Sequence, residues 1–279
     1  MKLNEIQQEF VKSCMRKGLS KGRIQRYIHT FKEMKELGVD LENLNEKEID
    51  KYYFWLMNSD QAQWTKVTKW RCFKKICRFV NKDIDFSEWA VKIPKTEPEI
   101  LSLREISAIV ENLPSFRDKL LVLLLYESGA RIGEILNLRR GDVTFDEYGA
   151  KLRLKGKTGT RYIRVVKTAR FLEAWVELNK SDRLFELSNQ RVCQILKEAA
   201  KKAGIKKRVH PHLFRHTRAT HLAKYLTEPE LKVYFGWSKD SRMPAIYVHL
   251  SGRDVDDKIL QIAQAQDLLA LPTKYTPAK

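Results

Sequence analysis

Cysteine is scarce in this chain. The four present, Cys14, Cys72, Cys77 and Cys193, form no CxxC pair. That argues against a disulfide framework and against a thiolate zinc site. Long apolar runs are missing too. The longest, Leu120 to Leu125 followed by Tyr126, falls far short of the roughly 20 residues that span a bilayer. No membrane partner is expected. The first ten residues, MKLNEIQQEF, hold no apolar signal core, so a cytoplasmic location is expected. Acidic residues are the other deficit: 35 Asp and Glu stand against 53 Lys and Arg, a net charge of +18. A 43% hydrophobic content excludes a basic disordered tail. The 279 residues suffice for two domains with separate cores. A basic excess of this size favours a polyanion, because each neutralised phosphate releases counterions.

The first ninety residues read as helices. Apolar positions recur with helical period through Ile24, Ile28, Phe31 and Leu37, with Gly38 as a stop. A second run lies near Ile49, Tyr53 and Leu56. A third extends from Trp64 to Val80, and residues 61–82 around it hold seven basic residues and no acid, interleaved with Trp64, Trp70, Phe73 and Phe79. A helix there could bury its rings and offer Lys66, Lys69, Arg71, Lys74, Lys75 and Arg78 to phosphate; a solvated basic face explains the pattern equally well. Residues 92–99, KIPKTEPE, read as a linker, since each proline disfavours helix before it. The expected division is therefore 1–91, a linker over 92–99, and 100–279.

Beyond the linker, Ser102 with Glu105 three residues on forms a capping box. Residues 115–128 form an apolar helix closed by Gly129. Residues 151–166, KLRLKGKTGTRYIRVV, alternate on both sides of Lys157-Thr158-Gly159, which predicts a hairpin with a Gly turn. Helical patterns then cover about 168–179, 188–203, 211–225, 228–235, 241–250 and 254–270. The fold class is mainly α with a small antiparallel β-sheet in the C-terminal domain.

His210, His212, His216 and His221 crowd the segment HPHLFRHTRATH. Zinc is disfavoured, because Arg215 and Arg218 lie among them and no acidic residue or cysteine occurs between Glu198 and Glu228. Core histidines are the plainer reading for one or two of them, and no metal or other cofactor is expected. His212-x-x-Arg215 places an imidazole and a guanidinium one helical turn apart on one face. A guanidinium grips two phosphate oxygens with its fork of donors, and an imidazole can handle a proton. Arg131 follows the Gly129 stop at a new helix start, with Glu134 at +3; a local ion pair accounts for that spacing as well. Lys157 sits at the hairpin tip, where a solvated turn lysine is the plain reading. Trp237 lies in a Gly-Trp-Ser break, and Tyr247 in a short helical piece where core packing is the usual role.

Taken in order, Arg131, Glu134, Lys157, His212-x-x-Arg215, Trp237 and Tyr247 resemble the tyrosine recombinases, or phage-type integrases. The phrases GARIGEILNLRRGDV, GKTGTRYIRV, HPHLFRHTRATHLA and AIYVH look like that family's four motif blocks. The likeness covers about residues 100–260, and is closest to Xer-type recombinases and plasmid or viral integrases, including archaeal ones. One departure is Gly-Trp-Ser where most members have Gly-His-Ser. The resemblance implies a two-domain DNA clamp and phosphoryl transfer between DNA strands through a 3′-phosphotyrosine. On it, Tyr247 is the nucleophile, and Arg131 and Arg215 clamp the phosphate. His212 is the base or a phosphate donor, Lys157 the leaving-group acid and Trp237 a further phosphate donor. Glu134 orients Arg131 or His212. Lys155 and Arg161 on the hairpin join the α-helical lysines and arginines as expected DNA contacts. The implied partners are double-stranded recombination sites and three further copies of the chain in a tetramer, docked through the 254–270 helix. Neighbouring readings are a type IB topoisomerase, a non-catalytic DNA-binding regulator that kept the fold, and a metal-dependent nuclease.

Overall fold

A computed structural model describes residues 3–93, 98–156 and 159–250. Lys157, the middle of the expected linker (94–97) and the expected docking helix (254–270) lie outside the described residues. The chain divides into two compact units, Met1–Glu97 and Pro98–Lys279.

The first unit holds four helices: α1 (Leu3–Arg16), α2 (Lys21–Glu36), α3 (Glu46–Asn58) and α4 (Gln63–Val80). The stripe α2 buries is Ile24, Tyr27, Phe31 and Met34; on α3 it is Ile49, Tyr52 and Leu56. Ile28, Leu37 and Tyr53, expected inside, are only half-buried. Tyr52 stacks on Phe73 at 4.2 Å, and Phe73 on Trp70 at 5.2 Å. This aromatic column joins the expected Ile24, Phe31, Ile49 and Leu56 in the core. Trp64 and Phe79 are exposed, which corrects the expectation that α4 buries all four of its rings.

The second unit is built on α6 (Phe116–Ser128), apolar on every side and buried at Leu120, Leu121, Val122, Leu124 and Leu125. Such a helix must be surrounded. Around it lie α5 (Leu103–Glu111), α7 (Ile132–Leu136), α8 (Ala169–Leu178) and α10 (Pro211–Ala223), with α9 (Asn189–Lys202) packed on α5, α7 and α10, and α11 (Glu228–Phe235) and α12 (Met243–Leu250) packed against α10. The expected hairpin is present as β2 (Gly149–Gly156) and β3 (Gly159–Val165), paired from Ala150↔Val165 to Gly156↔Gly159. A third strand, β1 (Val143–Asp146), pairs antiparallel with β2. It escaped the sequence reading because it is only four residues long, although VTFD alternates. The sheet turns Ala150, Leu152, Leu154, Ile163 and Val165 into the core. Glu127, at the end of α6, accepts bonds from the backbone N–H of Val166, Lys167 and Thr168 at 2.7–2.9 Å. One carboxylate thereby ties the end of the hairpin to the central helix.

Candidate active site

Four elements end or begin around one place in the second unit. Helix α6 stops at Gly129 in a left-handed conformation, φ +57°. A β-carbon there would lie 2.4 Å from the Phe235 ring, so only glycine lets the chain turn here. The turn delivers Arg131 to the N-cap of α7 and Glu134 to its first turn. Helix α11 stops in the same way at Gly236, φ +60°, and delivers Trp237. Helix α10 carries His212, Arg215 and His216 at i, i+3 and i+4, one face of the helix.

Arg215 is 5% exposed. Its guanidinium donates to the carbonyls of Gly129 (2.8 Å) and Phe235 (2.6 Å), at the C-terminal ends of α6 and α11. Both helix dipoles present their negative ends to the cation. The charge also lies over the Phe235 and Trp237 rings, 5.0 and 5.6 Å from their centres. Burial first, then repulsion from Arg131 and Arg161, pushes Arg215 down to about 9, still protonated at neutral pH.

Glu134 is buried and accepts four hydrogen bonds. Arg161 meets its carboxylate with both terminal nitrogens at 2.7 Å. Arg131 adds a side-chain bond at 2.9 Å and a backbone N–H at 2.8 Å. Burial works to raise the carboxyl, but the Arg161 and Arg131 bonds prevail and hold it at about 2. The expected ion pair of Arg131 with Glu134 is present, Nη1 to Oε1 at 2.9 Å. Among the described residues Glu134 makes no bond to His212. Arg161 was expected on DNA; instead it is spent on Glu134 and on the Tyr234 carbonyl at 3.1 Å. Sequence alternation carried that signal, since Arg161 is in phase with the buried Ile163 and Val165 while Tyr162 and Arg164 point out. Gly156, in phase with the buried positions of β2, lies against Glu134.

Tyr247 is 1% exposed and stacks on Trp237, ring centres 5.5 Å apart and nearly parallel at 3°. Its hydroxyl meets Nδ1 of His216 at 2.5 Å. The histidine at the phenol is thus His216, which the sequence reading left among the core candidates, while His212 is exposed with its ring centre 6.4 Å from that of His216. Burial raises Tyr247 to about 12, against the pull of Arg215. Partial burial, then Arg215 and Arg131, lowers His212. His221 bonds the Tyr126 hydroxyl at 2.9 Å, apart from the site. Among the described residues no group of three or more His, Cys, Asp or Glu is placed to hold a metal ion. None of the described helices is long and apolar enough to cross a membrane.

The expected DNA-contact residues separate into two groups. In the first unit, Lys69 pairs with the buried Glu33 at 2.5 Å, and Lys66 donates to the Met57 carbonyl at 2.7 Å. Both ammonium groups are engaged within their own unit. Arg71, Lys74, Lys75 and Arg78 line a recess of about 790 Å3 with Lys17, Arg23 and Lys82. In the second unit, Lys155 pairs with the buried Asp142 at 3.2 Å.

A fold with this order of motifs, and a tyrosine stacked beside a buried arginine, defines a class. The chain belongs to the phage integrase family, whose sequence profile matches residues 99–253. It is 36% identical over 144 residues to the tyrosine recombinase XerA of Pyrococcus horikoshii, a match covering 47% of this chain and 50% of that protein. The matched stretch spans about half the length of such curated relatives. Among solved structures, a lambda integrase dimer bound to a COC' core site superposes with a TM-score of 0.72, at 16% identity, over 91% of this chain and 79% of that one. A lambda integrase tetramer bound to a Holliday junction gives 0.70, at 16% identity, over 87% and 79%. These likenesses establish a mainly helical fold with a small antiparallel sheet.

Proposed function

We propose that the chain is a site-specific DNA recombinase that cuts and rejoins strands through a covalent 3′-phosphotyrosine. The observation that carries this reading is the gathering of Arg131, Arg215, Trp237 and Tyr247, with His212, from four separate elements around one place. In a phosphodiester transition state, charge spreads over the equatorial oxygens. Arg131, aimed by Glu134, and Arg215, held by two helix ends, are fixed cations that offset that charge. His212, neutral at pH 7, donates one N–H to the phosphate, and the Trp237 indole N–H donates another. The Tyr247 oxygen attacks phosphorus, the bond to the 5′ oxygen breaks, and a 3′-phosphotyrosine and a 5′ hydroxyl result. Lys157 gives the leaving oxygen its proton, without which it leaves poorly. The ester retains the energy of the broken bond, so another 5′ hydroxyl reseals it without ATP. The phenol is sheathed in the chain, 1% exposed, so the phosphate reaches it only as DNA binding uncovers the oxygen, with α12 still packed on α10.

On the same reading the first unit is a DNA-binding domain that closes with the second on a duplex, its recess of cations facing phosphate. The partners are double-stranded recombination sites and further copies of the chain, four on paired sites. The test is a duplex nicked near the cut site, drawn from a randomised library by covalent capture. The expected product is a protein–DNA adduct that survives SDS, forms in EDTA and vanishes with Tyr247→Phe. An adduct with the Phe variant removes Tyr247 from the role.

A further inference from the structure

We propose that His216, not His212, takes the proton from the Tyr247 hydroxyl as that oxygen attacks phosphorus. The proposal rests on the recombinase reading. Its starting point is contact: Nδ1 of His216 lies 2.5 Å from the phenolic oxygen, whereas His212, one helical turn earlier on α10, is exposed and makes no bond to it. The two atoms are within hydrogen-bond reach, closer than the usual separation of about 2.6–3.2 Å between a base and the group it deprotonates. The ring centres of His216 and Tyr247 are 5.9 Å apart, Trp237 stacks on the tyrosine, and Tyr247 is 1% exposed. Water is thereby kept from competing for the proton.

The protonation state fits. His216 is faced by His212 and Arg215 on its own helix, by His210 at the helix start, and by Tyr247 on α12. Burial, then His212, His210 and Arg215, lowers its affinity for a proton. The imidazole is neutral at pH 7, with Nδ1 free to accept when Nε2 carries the hydrogen. As the phenolic O–H bond breaks, its electron pair remains on oxygen and becomes the new bond to phosphorus. The bond from phosphorus to the 5′ oxygen breaks in the same displacement, and the proton rests on His216. The imidazolium beside Arg215 is balanced by the incoming phosphodiester's negative charge. In resealing, the 5′ hydroxyl gives its proton back to Lys157 as its oxygen bonds to phosphorus, the bond from phosphorus to the phenolic oxygen breaks, and that oxygen recovers the proton from His216.

The test separates holding the phenol from taking its proton. A captured nicked duplex is resynthesised with sulfur in place of the bridging 5′ oxygen, which leaves without an acid. Full-length wild type, His216→Ala and His216→Asn are compared on both substrates, with melting temperature and DNA binding measured alongside. Asparagine places an acceptor oxygen where Nδ1 stands but cannot store a proton. Both variants should lose adduct formation by about 100-fold on both substrates while still binding DNA. Lys157→Ala, by contrast, should recover on sulfur. Wild-type capture on the sulfur substrate should fall at acid pH with the slope of one proton, below the ordinary histidine range. An asparagine variant within threefold of wild type means that His216 only positions the phenol. An alanine variant faster than wild type means that the bond restrains it. A flat wild-type profile from pH 8 to 5 excludes a histidine acceptor. Each of these overturns the proposal. Absence of any wild-type adduct is a different result: it sinks the recombinase reading, and this inference falls with it.

Discussion

Gly156 and Glu134 meet so closely that a methyl group on the glycine would lie 2.4 Å from Oε1 of the carboxylate and 3.7 Å from Nη1 of Arg131. Gly156 therefore makes room for the group that aims Arg131. Glu134 cannot simply swing away, because Arg161 grips both its oxygens. Gly156→Ala should shift the carboxylate and Arg131 with it. Small overpacking of this kind costs about 1–3 kcal/mol, and a misplaced clamp costs up to about 100-fold in rate. Melting temperature should fall by a few degrees while adduct formation falls by one to two orders of magnitude. Unchanged adduct formation in a folded variant would show that Arg131 does not depend on this contact.

Arg161 is the second support. Its guanidinium is 11% exposed and meets a carboxylate that is 3% exposed. Removing one partner of a buried pair costs about 3–5 kcal/mol, because the other charge is left desolvated. Arg161→Ala should lower the urea midpoint accordingly, at constant slope. Arg161→Lys keeps the charge but not the fork, so it should recover most of the stability and little of the strand cleavage. A lysine variant with full cleavage would reduce Arg161 to a counter-charge.

The chain's residues made some of this legible. The i, i+3 spacing of His212 and Arg215, the Gly129 stop before Arg131, and the Gly turn after Lys157 are local rules, and a helix or hairpin obeys them wherever it is placed. Tertiary competition for partners is not local. Arg161 and Arg131 both reach Glu134, and His216 rather than His212 reaches Tyr247, because α7, β3, α10 and α12 come together from segments up to about a hundred residues apart. Charge counting over α4 likewise could not show that Lys69 spends its ammonium on Glu33 while Arg71 does not. The alternation that turns Arg161 inward was present in the strand and is the one signal that was readable but passed over.

Acid should unfold the second unit in a window set by its histidines. His210, His212, His216 and His221 all have their proton affinity lowered in the folded chain, each first by burial. The unfolded chain takes up protons near the ordinary value of about 6.5, where the folded one resists. Stability is thus fully present above about pH 6.5 and is lost as pH falls below it. Melting temperatures of the full chain between pH 7.5 and 5 should decline at the transition of the second unit. His221→Gln, which keeps a polar partner for Tyr126 but cannot titrate, should make the decline shallower. A melting temperature independent of pH over that range would mean that these imidazoles titrate as they do in water.

Helix α4 offers a contrast between two kinds of lysine and arginine. Arg71, Lys75 and Arg78 are exposed along the basic recess, whereas Lys69 is half-buried on Glu33, whose other contacts are the Tyr52 hydroxyl at 2.8 Å and His29 at 3.3 Å. Exposed cations that touch phosphate contribute through counterion release, about 0.9 in the logarithmic salt slope for each contact. The triple variant Arg71→Ala, Lys75→Ala, Arg78→Ala should bind duplex DNA more weakly, with a salt slope flatter by about 2–3, and should melt as wild type does. Lys69→Ala should do the reverse, because it strands a carboxylate that is 6% exposed in the core of the first unit. Its melting temperature should fall and its salt slope should hold. A Lys69 variant that flattens the slope without loss of stability would return that residue to the DNA face.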